Sequence, residues 1–158
     1  PANISNIGLY YAQPLTEKNV KVKLSDVSVK DWKTVGMPAE AANAIDGDPQ
    51  TVWTAKALTP LVVDMGKASE VIGFSYAPAQ KEDLTGTIYK YNFYVSIDGK
   101  NWTKCDASGE FSNIMHNPVP YFVRFGKKYP ARYFKLEPAA EINNKPATTV
   151  GEVGILLK

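Results

Sequence analysis

The chain has 158 residues, 18 Lys and Arg against 16 Asp and Glu, 44% hydrophobic residues and one cysteine. That length favours one domain, which would bury about two-thirds of its unfolded surface. The net charge of +2 is too small to argue for nucleic acid or an anionic membrane as a partner. No apolar run approaches the roughly 18 residues of a membrane span, and Cys105 alone cannot form an internal disulfide. Pro1 is not a native translation start, so the chain is expected to be a mature product or an excised domain of something larger.

In chain order, Trp32 comes first, in the polar run Lys30-Asp31-Trp32-Lys33, and residues 39–44 could form one helical turn. Short strands then dominate. Residues 61–66 make a compact apolar strand closed by Gly66, and 71–76 a second one ending before Pro78. Alternation over 91–97 puts Tyr91, Phe93, Val95 and Ile97 on one face. Asp98-Gly99 is a hairpin turn whose central residues tolerate positive φ, and 101–105 is the returning arm. Residues 121–125 and 132–136 are further strands, 143–146 an exposed loop, and 153–157 the last strand. β-Branched and aromatic residues fill these runs, as strands prefer. Many short strands with Gly- and Pro-rich connections predict an all-β antiparallel sandwich or jelly roll.

The segment Ala44-Ile45-Asp46-Gly47-Asp48-Pro49-Gln50-Thr51-Val52-Trp53 carries the sharpest chemical signal. Two carboxylates lie two residues apart on a Gly/Pro turn, and a Thr hydroxyl follows. Only oxygens are on offer, which suits a hard cation such as calcium. Calcium takes six to eight oxygens, more than one turn supplies. A sandwich that brings its ends together would let Glu152 join. The alternative is a solvated Asp-Gly turn in which Asp46 caps backbone groups. The spacing is not that of an EF-hand, because Gln50, Thr51 and Ala57 fill its last three diagnostic positions counted from Asp46.

These motifs, taken in order, resemble the coagulation factor 5/8 type C, or discoidin, family. Its bacterial branch is the family 32 carbohydrate-binding modules. The resemblance runs from the Asp46 turn through Leu61-Val62-Val63-Asp64-Met65-Gly66 and Tyr94-Val95-Ser96-Ile97-Asp98-Gly99-Lys100-Asn101-Trp102. It continues with Ala131-Arg132-Tyr133-Phe134-Lys135-Leu136 and ends at Gly151-Glu152-Val153. It covers residues 25–158 and leaves 1–24 as a linker or an added strand. It is similar above all to modules appended to secreted Bacteroidetes glycoside hydrolases such as fucosidases and hexosaminidases (chitobiases). The resemblance implies an eight-stranded jelly-roll β-sandwich. It also implies a structural calcium held by the Asn43 carbonyl, Asp46, Asp48, Thr51, the Gly151 carbonyl and the Glu152 carboxylate.

Sugar-binding members of the family often carry a His, a Trp, an Arg and an Asn on their ligand loops. Here Thr54, Ala57, Ala79 and Thr85 stand in those places. The ligand candidates are therefore Trp32, Thr54, Tyr76, Lys81, Glu82 and His116. Trp32 would stack on a sugar ring, or else pack over the sandwich end. Lys81, Glu82 and Asp83 would bond hydroxyls, or else remain a solvated loop. His116 would be a ligand contact or plain surface. Trp53 and Trp102 read as core. No nucleophile elbow, zinc-protease helix, phosphate loop or dinucleotide fingerprint is present. Cys105 with His116 is a poor catalytic pair. A glycosidase would need two carboxylates across a cleft, for which Asp64, Glu110 and Glu137 are weighed, and a jelly roll of this size rarely holds such a cleft.

The expectation is a non-catalytic module that binds a glycan and targets a parent catalytic domain in the same chain. The alternative is a spacer that packs on that domain and binds no sugar. Nucleic acid is not expected as a partner, nor a membrane, since the loop at 55–60 offers a single Leu58. The resemblance places the protein outside the cell, in the periplasm or on the outer-membrane surface of a Gram-negative bacterium.

Overall fold

A computed structural model describes residues 32–48, 50–79, 83–105, 109–111, 114 and 119–157. The 1–24 segment and the candidates Lys81, Glu82 and His116 lie outside the described residues.

The strands are β1 (Lys33–Thr34), β2 (Trp53–Ala55), β3 (Leu61–Ala77), β4 (Ile88–Ser96), β5 (Thr103–Lys104), β6 (Gly109–Glu110), β7 (Tyr121–Glu141), β8 (Thr148–Val150) and β9 (Glu152–Leu157). A single 3-10 turn, Ala39–Ala44, is the helix among the described residues, where the helical turn was predicted. All pairings between these strands are antiparallel.

Two pairs of predicted strands prove continuous. Residues 61–66 and 71–76 are the two halves of β3, and 121–125 and 132–136 belong to β7. The two long strands pair along their length, Leu61 with Leu136 at one end and Tyr76 with Tyr121 at the other. The register slips between Asp64 and Ser69 and again between Val71 and Gly73. Gly66, at φ 86°, occupies the first irregularity, where an L side chain would be strained.

These bulges let one sheet bend into two layers. The first layer holds β1, the start of β3, the end of β7, and β4 with β5 and β6. In the second, the end of β3 lies between β9 and the start of β7. Side chains close the space between them. Phe74 of the second layer stacks on Phe93 of the first at 4.2 Å and meets Tyr91 edge-on at 5.3 Å. Phe93 in turn stacks on Phe134 at 5.7 Å. Trp53, Leu61, Phe111 and Ile155 are buried in the core with this aromatic column.

The β4 alternation holds for Tyr91, Phe93 and Val95 but not for Ile97, which is 53% exposed. The strand ends at Ser96. There the Asp98 carboxylate gathers the Ser96 hydroxyl and the N–H groups of Lys100 and Asn101, turning Ile97 off the core face. Those donors, the Asn101 N–H first, hold the Asp98 carboxyl well below the ordinary carboxylate range. Beyond the predicted strands, β8 pairs with β2, matching Trp53 with Val150 and Ala55 with Thr148.

Candidate functional site

The Asp46 turn and the start of β9 meet. Pairing of Ala77 with Glu152 brings Glu152 beside the turn, and its Oε2 accepts the Gly47 N–H at 2.9 Å across 105 residues. The turn is internally braced. Asp46 Oδ1 accepts the Asp48 N–H, and Asp48 Oδ1 accepts the Gln50 N–H, each at 2.9 Å. Asn43 Nδ2 donates to the Val52 carbonyl at 3.1 Å. Gly47, at φ 82°, takes the left-handed conformation that Gly tolerates. Gly151 donates its N–H to the Ala77 carbonyl at 2.8 Å, and a Cβ there would stand 2.8 Å from that same oxygen.

The oxygens outnumber the protons available to them. The Thr51 hydroxyl lies within reach of the Asp46 Oδ2, the Asp48 carbonyl at 2.8 Å and the Asn43 carbonyl at 3.4 Å. One hydroxyl donates one proton and cannot serve all three. The Asp48 carbonyl also accepts the Thr51 N–H at 3.2 Å, which leaves the Asp46 Oδ2 and the Asn43 carbonyl to share the hydroxyl. Glu152 Oε1 is buried with no hydrogen-bond partner. Burial, with Asp46 and Asp48 nearby, pushes the Glu152 carboxyl up to about 8 against the pull of the Gly47 N–H. A buried orphan oxygen beside acceptors that share one proton is a donor set that fits a hard cation. No group of three or more His, Cys, Asp or Glu side chains gathers as a metal cluster among the described residues. The fit rests instead on a mixed set: Asp46 and Glu152 carboxylates, two carbonyls and a hydroxyl. Asp48 enters it through its carbonyl, because its carboxylate is turned to Gln50.

Among the described residues, the ligand candidates Trp32, Thr54 and Tyr76 do not form one surface site. Tyr76 is a correction: it is fully buried, its hydroxyl donating to the Thr149 carbonyl at 2.7 Å and accepting the Ile88 N–H at 3.0 Å. Burial raises its phenol far above the usual value, and no ligand reaches it. The end of β3 is buried on both faces, so strand alternation carries no sign of where Tyr76 points. Trp32 is half-buried, its ring edge-on to Phe134 at 5.5 Å, so it packs on the core. Thr54 is exposed on β2, opposite Thr149.

Trp53 is core, as expected, and so is Cys105. Trp102 is half-buried, with the Lys135 ammonium 4.6 Å from its ring centre. The carboxylates weighed for catalysis have structural partners. Asp64 forms a two-pronged ion pair with Arg132 at 2.9 and 3.0 Å, and the Arg132 bond leads in lowering its pKa. Glu137 accepts from Asn92 and Tyr94, and Glu110 faces the Tyr89 hydroxyl.

Sequence reasoning missed Glu141. It is 3% exposed at the end of β7, with Oε2 accepting the Gly86 N–H at 2.6 Å and Oε1 the N–H groups of Asn143 and Lys145 at 2.7 Å each. Thr148 bonds the Ala57 carbonyl and the Thr59 N–H, and Thr149 the Thr85 carbonyl. The loops carrying Thr54, Ala57 and Thr85 are thereby stitched together. Ala79 is buried there, at 2% exposure, so that position presents no side chain to solvent. Gly86 sits inside the stitching at φ 95°, and a Cβ on it would fall 2.1 Å from Thr149 Oγ1. Gly86→Ala is expected to lower unfolding free energy by about 2 kcal/mol or more, read from the denaturant midpoint. An unchanged midpoint would show that the loop relaxes freely.

A family model described as F5/8 type C domain matches residues 25–153. Among curated proteins, the chain is 29% identical over 143 residues to a galactose oxidase of Gibberella zeae, covering 83% of this chain and 20% of that one. The chain spans about a fifth of the length of the curated relatives it matches. A solved protein assigned as an alpha-L-fucosidase, from Bacteroides ovatus, is 35% identical with TM-score 0.65, over 94% of this chain and 22% of that one. The family 32 carbohydrate-binding module of Clostridium perfringens NanJ, solved with galactose, shares the fold. Its TM-score is 0.67 at 20% identity, over 82% of this chain and 96% of that one.

Proposed function

The chain belongs to the F5/8 type C domain family, and on that premise we propose that it is a non-catalytic carbohydrate-binding module. The observation that carries this reading is the match to the fucosidase-type protein. Nearly all of this chain aligns with about a fifth of that one at 35% identity, as a module carried beside a larger partner would. Family 32 modules of the same fold have been solved with sugars bound. In this reading the chain holds a parent glycoside hydrolase against its glycan outside the cell. The gain comes from tethering, which raises the effective substrate concentration seen by the partner domain.

A structural calcium belongs to the proposal. Asp46, Glu152, the Thr51 hydroxyl and the Asn43, Asp48 and Gly151 carbonyls would hold it. When bound, the cation supplies positive charge that joins the Asp46 turn to β9. Gly47 and Asn43 keep the turn in the shape that presents those oxygens.

A second reading, a spacer that packs on its catalytic domain, is favoured by one observation. The loop end offers Thr54, Thr85 and a buried Ala79, none of which resembles a galactose-type contact. A glycan array probed with the folded, calcium-loaded chain separates the two. The expected result is a defined set of bound glycans. An array with no bound glycan, from a sample with a cooperative melt, would leave the spacer.

A further inference from the structure

We infer that the chain carries a saccharide site at the end of the sandwich opposite its stitched loops, in a cleft between the β4–β5 hairpin and the bend of β7; this rests on the carbohydrate-binding reading. A cavity of about 400 Å³ opens there, its walls formed by residues of the hairpin and by 127–130 of β7. Ile88 pairs with Glu141 among the stitched loops, and Ser96 lies at the cavity. The eight residue steps between them place the two ends about 26 Å apart at ~3.3 Å per residue.

The lining has the character that sugar rings require, apolar surface for C–H faces beside a few fixed polar groups for hydroxyls. Ile97 and Pro130 supply the apolar part, and Ile97 is the most exposed large hydrophobic side chain among the described residues. Asp98, Asn101, Thr103 and Lys127 supply the polar part. The polar wall is preorganised. Asp98 takes hydrogen bonds from Ser96 Oγ at 3.0 Å, from the Lys100 and Asn101 N–H groups at 2.8 Å, and from Asn101 Nδ2 at 2.7 Å. Behind it Gly99, at φ 76°, lies so close to the Tyr133 ring that a Cβ would stand 3.1 Å away. On the facing wall the Lys127 ammonium rests 5.2 Å from the centre of the Tyr129 ring. Groups already held in place lose little freedom when a ligand binds, which favours even a small ligand. The volume is at the small end of ligand sites and suits one or two sugar rings.

The test is an amide-resolved NMR titration of the calcium-loaded chain with galactose, N-acetylglucosamine, L-fucose and galacturonate in turn. At least one sugar is expected to shift the amides of Ile97, Asn101, Thr103 and Lys127 together. Thr103→Trp, on an exposed β5 position, fills the cleft and is expected to weaken that sugar about tenfold or more with the melting temperature kept. Val35→Thr, on an exposed position next to β1 and outside the cleft, is expected to leave the affinity unchanged. Shifts confined to the Thr54 and Thr85 loops would overturn this site while the carbohydrate-binding reading stands. Silence at both ends with all four sugars would overturn this inference, and a bound glycan on the array would still uphold that reading. If Thr103→Trp melts lower, Lys127→Met with the same titration replaces it, and unchanged affinity there would also overturn the site.

Discussion

Phe74→Ala is expected to lower the unfolding free energy by about 3–5 kcal/mol, the range for a buried Phe truncated in a packed core. Phe74 is fully buried, stacked on Phe93 at 4.2 Å and within 5.3 to 6.3 Å of the rings of Tyr91, Phe111 and Phe125. It stands where the layers meet, so truncation removes apolar contacts with both and leaves a cavity that rigid β-strands close poorly. Aromatic pairing adds about 0.5–1.5 kcal/mol per pair beyond the area buried. Equilibrium denaturation by guanidinium, compared with Phe74→Leu, measures it. A loss below about 1 kcal/mol would show that the two layers do not depend on this contact.

The second large effect concerns the proposed cation. Exhaustive chelation is expected to lower the melting temperature, and calcium to restore it. A ligand present at a thousand times its dissociation constant stabilises the native state by about 4 kcal/mol. Glu152→Gln separates the cation from the hydrogen bond, because Gln keeps an oxygen for the Gly47 N–H. In calcium the variant should melt well below the parent. In chelator it should melt at or above the parent, since Gln is neutral beside Asp46 and Asp48 without having to take up a proton on folding, as a carboxyl raised to about 8 must. Calorimetry in both conditions reads the reversal. A parent melt unmoved by chelation would remove the cation from the account.

The two halves of the Asp46–Glu152 contact were legible because each is local, two carboxylates and a Gly on one side and one acidic residue at the last strand. Their meeting followed only from a sandwich that brings its ends together. The Asp98-Gly99 hairpin was legible for the same reason. What lay hidden depends on distant packing. Alternation breaks down in β3, whose second half is covered on both faces, so a core tyrosine such as Tyr76 carries no local mark of its burial. The polar residues at 67–70 and the run Gly126-Lys127-Lys128 look like turns in sequence, yet they are the outer bends of unbroken strands. Glu141 left no local mark. Its importance comes from three backbone donors that only the closed loops deliver. The cleft beside Ile97 was hidden in turn, because alternation assigned that side chain to the interior.

β3 and β7 each run through both layers, so neither layer has an independent boundary at which the chain could come apart. Leu61 pairs with Leu136 and Tyr76 with Tyr121, contacts that must be found across long stretches of chain. Such non-local closure slows folding into the millisecond-to-second range, because loop entropy is lost before the pairing that offsets it forms. The same continuity makes hydrogen exchange at the two strands report one opening. Amides at Val63 and at Phe74, in different layers, should exchange with the same free energy.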